Sequence, residues 1–246
     1  MRTKEEAVAI LKSFDIGNKF SYLPVLPKAS VLIPLLVRSG RLHTLMTLRS
    51  SELRTNAGEV CFPGGKRDPS DGDDVDTALR EAEEEIGLAP DGVQVVCRLF
   101  PVMSKVGARM KTTLPGHSIS CSGPISPLLT SFQQSGLLVT PVVGFIEESF
   151  CPRPNPAEVS AVFTVPLDVF IGKDHGAHGM LGPLNSFHYE DPDSGSQYHI
   201  WGLTAMFAIL VAALALKKKP EFDAGFDHDD PLPFFQQVLH RRICKL

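Results

Sequence analysis

A chain of 246 residues, 43% hydrophobic and 21% charged, can bury a sizeable core and has the balance of an ordinary globular protein. Its net charge of −4 carries no basic stripe of the kind a nucleic-acid backbone requires, so nucleic acid is not an expected partner. The 5 cysteines include no C-x-x-C pair, which points to reduced thiols rather than a disulfide frame or a zinc site, with Cys61 and Cys97 in the core.

The opening MRTKEEAVAILKSF carries Glu5 and Glu6 and has no long apolar run, so it reads as an amphipathic helix over 4–14 rather than a signal or transit peptide. Beyond Pro24 and Pro27, residues 29–37 are a buried strand, in which Pro34 argues for an edge position or a bulge. Ser39-Gly40 turns the chain into a second strand over 42–49. A polar loop over 50–58 holds Arg54 and Gly58, and a short strand over 59–62 delivers the chain to a Gly64-Gly65 turn. A helix over 74–86 follows, capped by Gly87 and stopped before Pro90.

Residues 93–102 form another strand. Residues 103–136, rich in Ser, Gly and Pro and without a sustained period, read as a poorly ordered insertion. Strands are expected over 137–147 and near 158–164, then a short helix near 166–171. His175 and His178 lie on a Gly-rich loop without acidic company and read as solvated. Strands over 187–190 and 197–202 lead into an apolar helix from Gly202 to Leu216, too short to span a bilayer, and no transmembrane segment is expected. An acidic, solvated loop over 227–230 precedes a last helix over 234–242. Strands alternating with helices predict an α/β fold, a mixed sheet between helices. The expected organisation is an N-terminal helix and linker over 1–27, a main domain over 28–215 and a C-terminal extension over 216–246.

The stretch 62–88, FPGGKRDPSDGDDVDTALREAEEEIGL, organises the rest. On its helix Glu81, Glu84 and Glu85 stand at i, i+3 and i+4, so their carboxylates share one face. Carboxylates that close repel one another unless a cation sits among them, and hard divalent ions accept such oxygen ligands beside substrate phosphates. Arg80, four residues before Glu84, is placed to fix its rotamer. A solvated acidic face is the competing reading of the three glutamates alone.

The stretch resembles the Nudix box: Gly, five residues, Glu, seven residues, then Arg-Glu-φ-x-Glu-Glu-x-Gly-φ, with φ apolar. Gly65, Arg80, Glu81, Ala82, Glu84, Glu85, Gly87 and Leu88 fill it. Asp71 replaces the first Glu, one residue further from Arg80 than the pattern has it, and is assigned no metal. The resemblance implies a Nudix-type α/β/α sandwich and hydrolysis of a nucleoside diphosphate linked to another group. It also implies Mg²⁺ or Mn²⁺ on Glu81, Glu84 and Glu85, with Glu84, Glu81 and Arg80 as the catalytic set and Gly65 letting backbone approach helix and substrate. The general base is one of the helix glutamates or Glu158, for which an ordinary strand-edge acid is the competing reading.

Residues 45–65, LMTLRSSELRTNAGEVCFPGG, resemble the signature of the coenzyme A diphosphatases within that family. Leu45, Thr47, Arg49, Ser50, Arg54, Gly58 and Phe62 to Gly65 supply it, with Met46 a mild departure. The resemblance implies CoA and acyl-CoA as substrates and Arg54 and Arg49 as phosphate-binding residues, Arg54 ahead of Arg49; planar guanidinium groups suit phosphate. Cys244, Lys245 and Leu246 form a variant of the Ser-Lys-Leu address, implying a peroxisomal import receptor as partner and the peroxisome as compartment. The alternatives are a Nudix enzyme preferring NADH or another dinucleotide, and a CoA-binding form impaired by the insertion.

Overall fold

Strand β1 (Lys28–Arg38) is the axis of the sheet. It runs parallel to β7 (Leu137–Phe145) on one side and antiparallel to β2 (Arg41–Arg49) on the other, so the sheet is mixed. The coordinates are a computed structural model that describes residues 3–17, 19, 26–104, 136–172 and 185–243. Side chains along β1 alternate between two cores, as the strand period requires: Ala29, Ile33 and Leu35 face one, Leu32 and Leu36 the other.

Pro34 sits in this central strand, not at an edge. Leu32 donates its N–H to the carbonyl of Pro63 at 2.8 Å, and by alternation the nitrogen of Pro34 faces the same edge. On that edge β1 pairs with β4 (Gly64–Lys66) through Ala29 to Val31 and with β2 only from Leu35 onward. The missing N–H falls in the gap between the two partners, so the proline removes no ladder bond.

That gap is where the sheet makes its site. β2 carries β3 (Val60–Cys61) at Thr47 and Leu48, on the edge that it shows to β1 at residues 41–44. β8 (Val159–Pro166) covers its other edge. Residues 60–66 are thus a wedge between diverging strands, and the expected Gly64-Gly65 turn is a short strand hydrogen-bonded to β1. A Cβ on Gly64 would stand 2.4 Å from the Ser30 carbonyl oxygen, which is why the strands approach so closely there.

The expected strand over 93–102 is two pieces, β5 (Gln94–Arg98) and β6 (Val102–Ser104), both antiparallel to β7. Met103 and Ser104, expected in the insertion, belong to β6 and pair with Leu138 and Leu137. Residues 105–135, His175, His178 and the tail Cys244-Lys245-Leu246 lie outside the described residues.

Helix α2 (Asp74–Ile86) covers one face of the sheet, packing Ala78, Ala82 and Ile86 on Leu32 and Leu45. On the other face α1 (Lys4–Ser13), α3 (Gly202–Leu216) and α4 (Leu232–Ile243) contribute Leu11, Phe207 and Phe235 to a larger core. A hairpin of β9 (Phe187–Glu190) and β10 (Gln197–Ile200) joins them, Tyr198 stacking on Phe163 with ring centroids 3.6 Å apart. The result is the expected α/β/α sandwich. Among the described residues no helix is long and apolar enough to cross a membrane.

Candidate active site

The acidic helix is built to start and stop where the chemistry needs it. Asp73 caps the N-terminus, its Oδ1 accepting from the N–H groups of Val75 (2.8 Å) and Asp76 (3.1 Å). Asp74 and Asp76 add negative charge to the first turn, where the helix dipole favours it. Gly87 closes the other end at φ 70°, a left-handed conformation that glycine adopts without a Cβ penalty. Full burial of Ile86 contributes about 2 kcal/mol to seating the helix.

With the apolar face so fixed, Arg80, Glu81 and Glu85 are turned toward the wedge at 60–66, and Glu84 stands exposed beside Arg80. Arg80 joins the cluster together. Its Nε and Nη2 donate to Oδ1 and Oδ2 of Asp71 at 2.9 and 3.1 Å. Nη2 also reaches Glu81 Oε1 at 3.0 Å and the Lys66 carbonyl at 3.1 Å, while Nη1 reaches Glu84 Oε2 at 3.0 Å. The pairing with Glu84 one turn on was expected from spacing; the web around it was not.

Asp71 is the residue that sequence reasoning undervalued. It is buried, and the Arg80 guanidinium lowers its carboxyl to about 2, so it is the fixed counter-ion of Arg80. Its signal was its place in the box, blurred by the extra residue in the spacing.

The three glutamates differ in exposure. Glu84 is exposed. Glu81 is half-buried and lies where a side chain on Gly65 would be: a Cβ there would stand 2.4 Å from its carboxylate. Glu85 is buried, and its Oε2 accepts from the Gly64 N–H at 3.3 Å. Burial raises Glu81 and pushes the Glu85 carboxyl up to about 8, with the Glu158 charge adding to both. Glu158 thus acts electrostatically on this cluster, and its backbone carbonyl anchors the Ser50 N–H at 2.8 Å. Glu81 and Glu85, disfavoured as buried anions, and the exposed Glu84 one turn from Glu81 make an all-oxygen donor set whose chemistry fits a hard divalent cation.

Arg49, at the end of β2, exerts its positive charge on Glu85 and Cys61, and its Nε is buried with no hydrogen-bond partner among the described residues. Arg54 is exposed on the loop between β2 and β3. That loop is closed at its base, Gly58 donating to the Arg49 carbonyl (3.2 Å) and Arg49 to that of Glu59 (3.0 Å). Arg49 therefore stands with the carboxylates, whereas Arg54 is exposed on the loop.

Comparison with known proteins gives the arrangement its family. The NUDIX domain model matches residues 26–121. Peroxisomal coenzyme A diphosphatase NUDT7 of Mus musculus is 40% identical over 241 residues, 96% of this chain and 89% of that protein. The chain belongs to the NUDIX family. Nudix hydrolase 15, mitochondrial, of Arabidopsis thaliana is 39% identical over 203 residues, 79% of this chain and 61% of that protein. The uncharacterized Nudix hydrolase NudL of Escherichia coli (strain K12) is 36% identical over 200 residues, 78% of this chain and 84% of that protein. Among solved structures, an Ap4A hydrolase binary complex from C. elegans is 13% identical with a TM-score of 0.42, covering 58% of this chain and 82% of that chain. This chain is a Nudix hydrolase, an enzyme.

Proposed function

We propose that this Nudix hydrolase cleaves the diphosphate bond of coenzyme A and acyl-CoA, giving adenosine 3′,5′-bisphosphate and (acyl-)4′-phosphopantetheine. The observation that carries the substrate is the stretch 45–65. The residues that resemble a coenzyme A diphosphatase signature are the same residues that form β2, its loop and the wedge against Glu81 and Glu85. The likeness to a relative named as a coenzyme A diphosphatase, along 96% of the chain, supports the same reading.

Glu81, Glu84 and Glu85 would hold Mg²⁺ or Mn²⁺. When bound, such an ion neutralises diphosphate oxygens and makes water a better nucleophile. Arg80 is a positioning residue, holding the carboxylates of Glu81 and Glu84 from the fixed base of Asp71. Arg49, beside Glu85, meets the diphosphate, and Arg54, on the outer loop, meets the 3′-phosphate that distinguishes CoA from most dinucleotides. Glu158 or a helix glutamate takes the proton of the attacking water. The tail Cys244-Lys245-Leu246 directs the enzyme to the peroxisome through the import receptor.

The deciding experiment incubates the protein with CoA, NADH and ADP-ribose in Mg²⁺ or Mn²⁺ and separates the products. CoA is expected to give adenosine 3′,5′-bisphosphate; its absence refutes the reading. Glu84→Gln, exposed and without a fold to support, is expected to lose at least about a hundredfold in kcat, the scale of a lost electrostatic contact in the transition state. Its circular dichroism and melting should not change. Deleting Lys245 and Leu246 should turn a punctate distribution diffuse in cells, and an unchanged pattern refutes the address.

A further inference from the structure

The outer face of the β9–β10 hairpin carries a column of flat rings. His188 and His199 are cross-strand partners whose rings stack with centroids 4.6 Å apart and planes 5° apart. Trp201 continues the column, 6.4 Å from His199 and inclined by 19°. The core does not require this order. Tyr198 and Ile200, at the alternating positions of β10, are the buried side, whereas His188, His199 and Trp201 face outward. Trp201 is 44% exposed, the one large hydrophobic side chain so exposed among the described residues. Imidazole lone pairs lie in the ring planes, so two parallel stacked rings cannot converge on one metal ion. What the column offers is a π-face, and the ligand class that fits it is a purine ring, for which stacking on aromatic side chains is favourable.

The column borders the site already described. β10 packs beside β3, and Thr204, three residues beyond Trp201, donates through Oγ1 to the Val60 carbonyl at 3.1 Å. The next residue, Cys61, lies in the wedge with Thr47 at 3.2 Å and feels the charges of Glu85 and Arg49. The loop carrying Arg54 leads into the same strand. The strand Val60–Cys61 is therefore shared: it neighbours Glu85 and Arg49 through Cys61 and the hairpin end through Val60, and the loop with the exposed Arg54 precedes it. We propose that His188, His199 and Trp201 form the platform on which the adenine ring of the substrate stacks, its 3′-phosphate directed to the Arg54 loop. This assignment rests on the CoA reading and adds the base-binding part of the same site.

Trp201 is the sole tryptophan of the chain, so its fluorescence reports on this position alone. Adenosine 3′,5′-bisphosphate titrated into the full-length protein is expected to quench it saturably, while 4′-phosphopantetheine, which lacks a base, leaves it unchanged. Trp201→Ala should raise KM for CoA about tenfold with kcat within twofold, and Trp201→Phe should restore KM to within about threefold, since a phenyl ring still stacks. His199→Ala, at an exposed position, should weaken the quench without lowering the melting temperature. Cleavage of CoA by the wild-type protein without nucleotide quenching, and with an unchanged KM in Trp201→Ala, overturns the platform and leaves the CoA reading standing; a column that serves to seat another protein gives that result. Wild-type protein that leaves CoA intact overturns the CoA reading. The platform then stands or falls on quenching by the bisphosphate itself.

Discussion

Burial pushes the Glu85 carboxyl up to about 8 and raises Glu81 above its ordinary range, so a divalent cation bound there, as proposed, would displace protons. An unfolded glutamate titrates near about 4.3, so between that value and 8 the folded state binds more protons, and this group's contribution to stability falls as pH rises. Metal binding runs the other way. Its affinity should tighten about tenfold per pH unit between pH 6 and 7 and level off above 8, as one proton is released per ion bound. Calorimetric titration of Mn²⁺ at three pH values measures this, and a pH-independent affinity refutes it. Asp71 has the opposite sign. With its carboxyl lowered to about 2 by Arg80, its contribution is fully present above about pH 4 and is lost as pH falls through 2. Asp71→Asn should therefore destabilise the protein by about 2 kcal/mol at pH 7, by urea unfolding, and by much less near pH 2. The sequence placed the three glutamates on one face but not their unequal depth, because depth depends on how far the wedge at 60–66 reaches under the helix.

At the scale of the element, Gly64 and Gly65 look alike in sequence and do different work. A Cβ on Gly64 would meet backbone, 2.4 Å from the Ser30 oxygen and 2.6 Å from the Val31 Cα, so Gly64→Ala must force strands apart. The three atoms nearest a Cβ on Gly65 would all belong to the Glu81 carboxylate, the end of a flexible side chain. Gly64→Ala is expected to lower the melting temperature by several degrees, about 2 kcal/mol or more, while Gly65→Ala leaves it near wild type and loses metal affinity and turnover. Thermal melts beside Mn²⁺ titrations separate the two, and equal effects would show that the wedge is not the divide described. Helix α2 was legible to the residue, because cap, apolar period and left-handed glycine all agree. Pro34 misled for a local reason: a missing N–H is harmless in a central strand where the neighbouring partners change over, and one strand's sequence does not show where its partners end. The strand expected over 93–102 broke after Leu99, which still donates to the Pro141 carbonyl in the register of β5; Pro101 has no N–H to continue the ladder, and the chain resumes one residue out of register at Val102.

For the whole molecule, Ser104 and Leu137 are directly paired, so the chain leaves and re-enters the sheet at adjacent positions of one antiparallel ladder. Replacing 105–136 by Asn-Gly, a two-residue turn between the paired Ser104 and Leu137, should leave a foldable hairpin that cleaves CoA within about threefold of wild type. It should also be more stable by up to about 2 kcal/mol, from the shorter connection between the paired strands. An inactive or insoluble product would assign those residues a part in the site or fold. The architecture itself was legible from alternating strands and helices; which face of the sheet each helix covers was not, since that is settled by contacts distant in sequence. That division of faces has a consequence for how the enzyme can change. The helix bearing the carboxylates rests on one core, the ring column and three helices on another, and only the sheet is common to both. Each helical layer is about 10 Å thick, beyond the distance over which mutational effects usually couple, so substitutions in the two layers should add. On the proposed base platform, selection for a different base would then reshape one layer while the carboxylate helix in the other is inherited unaltered.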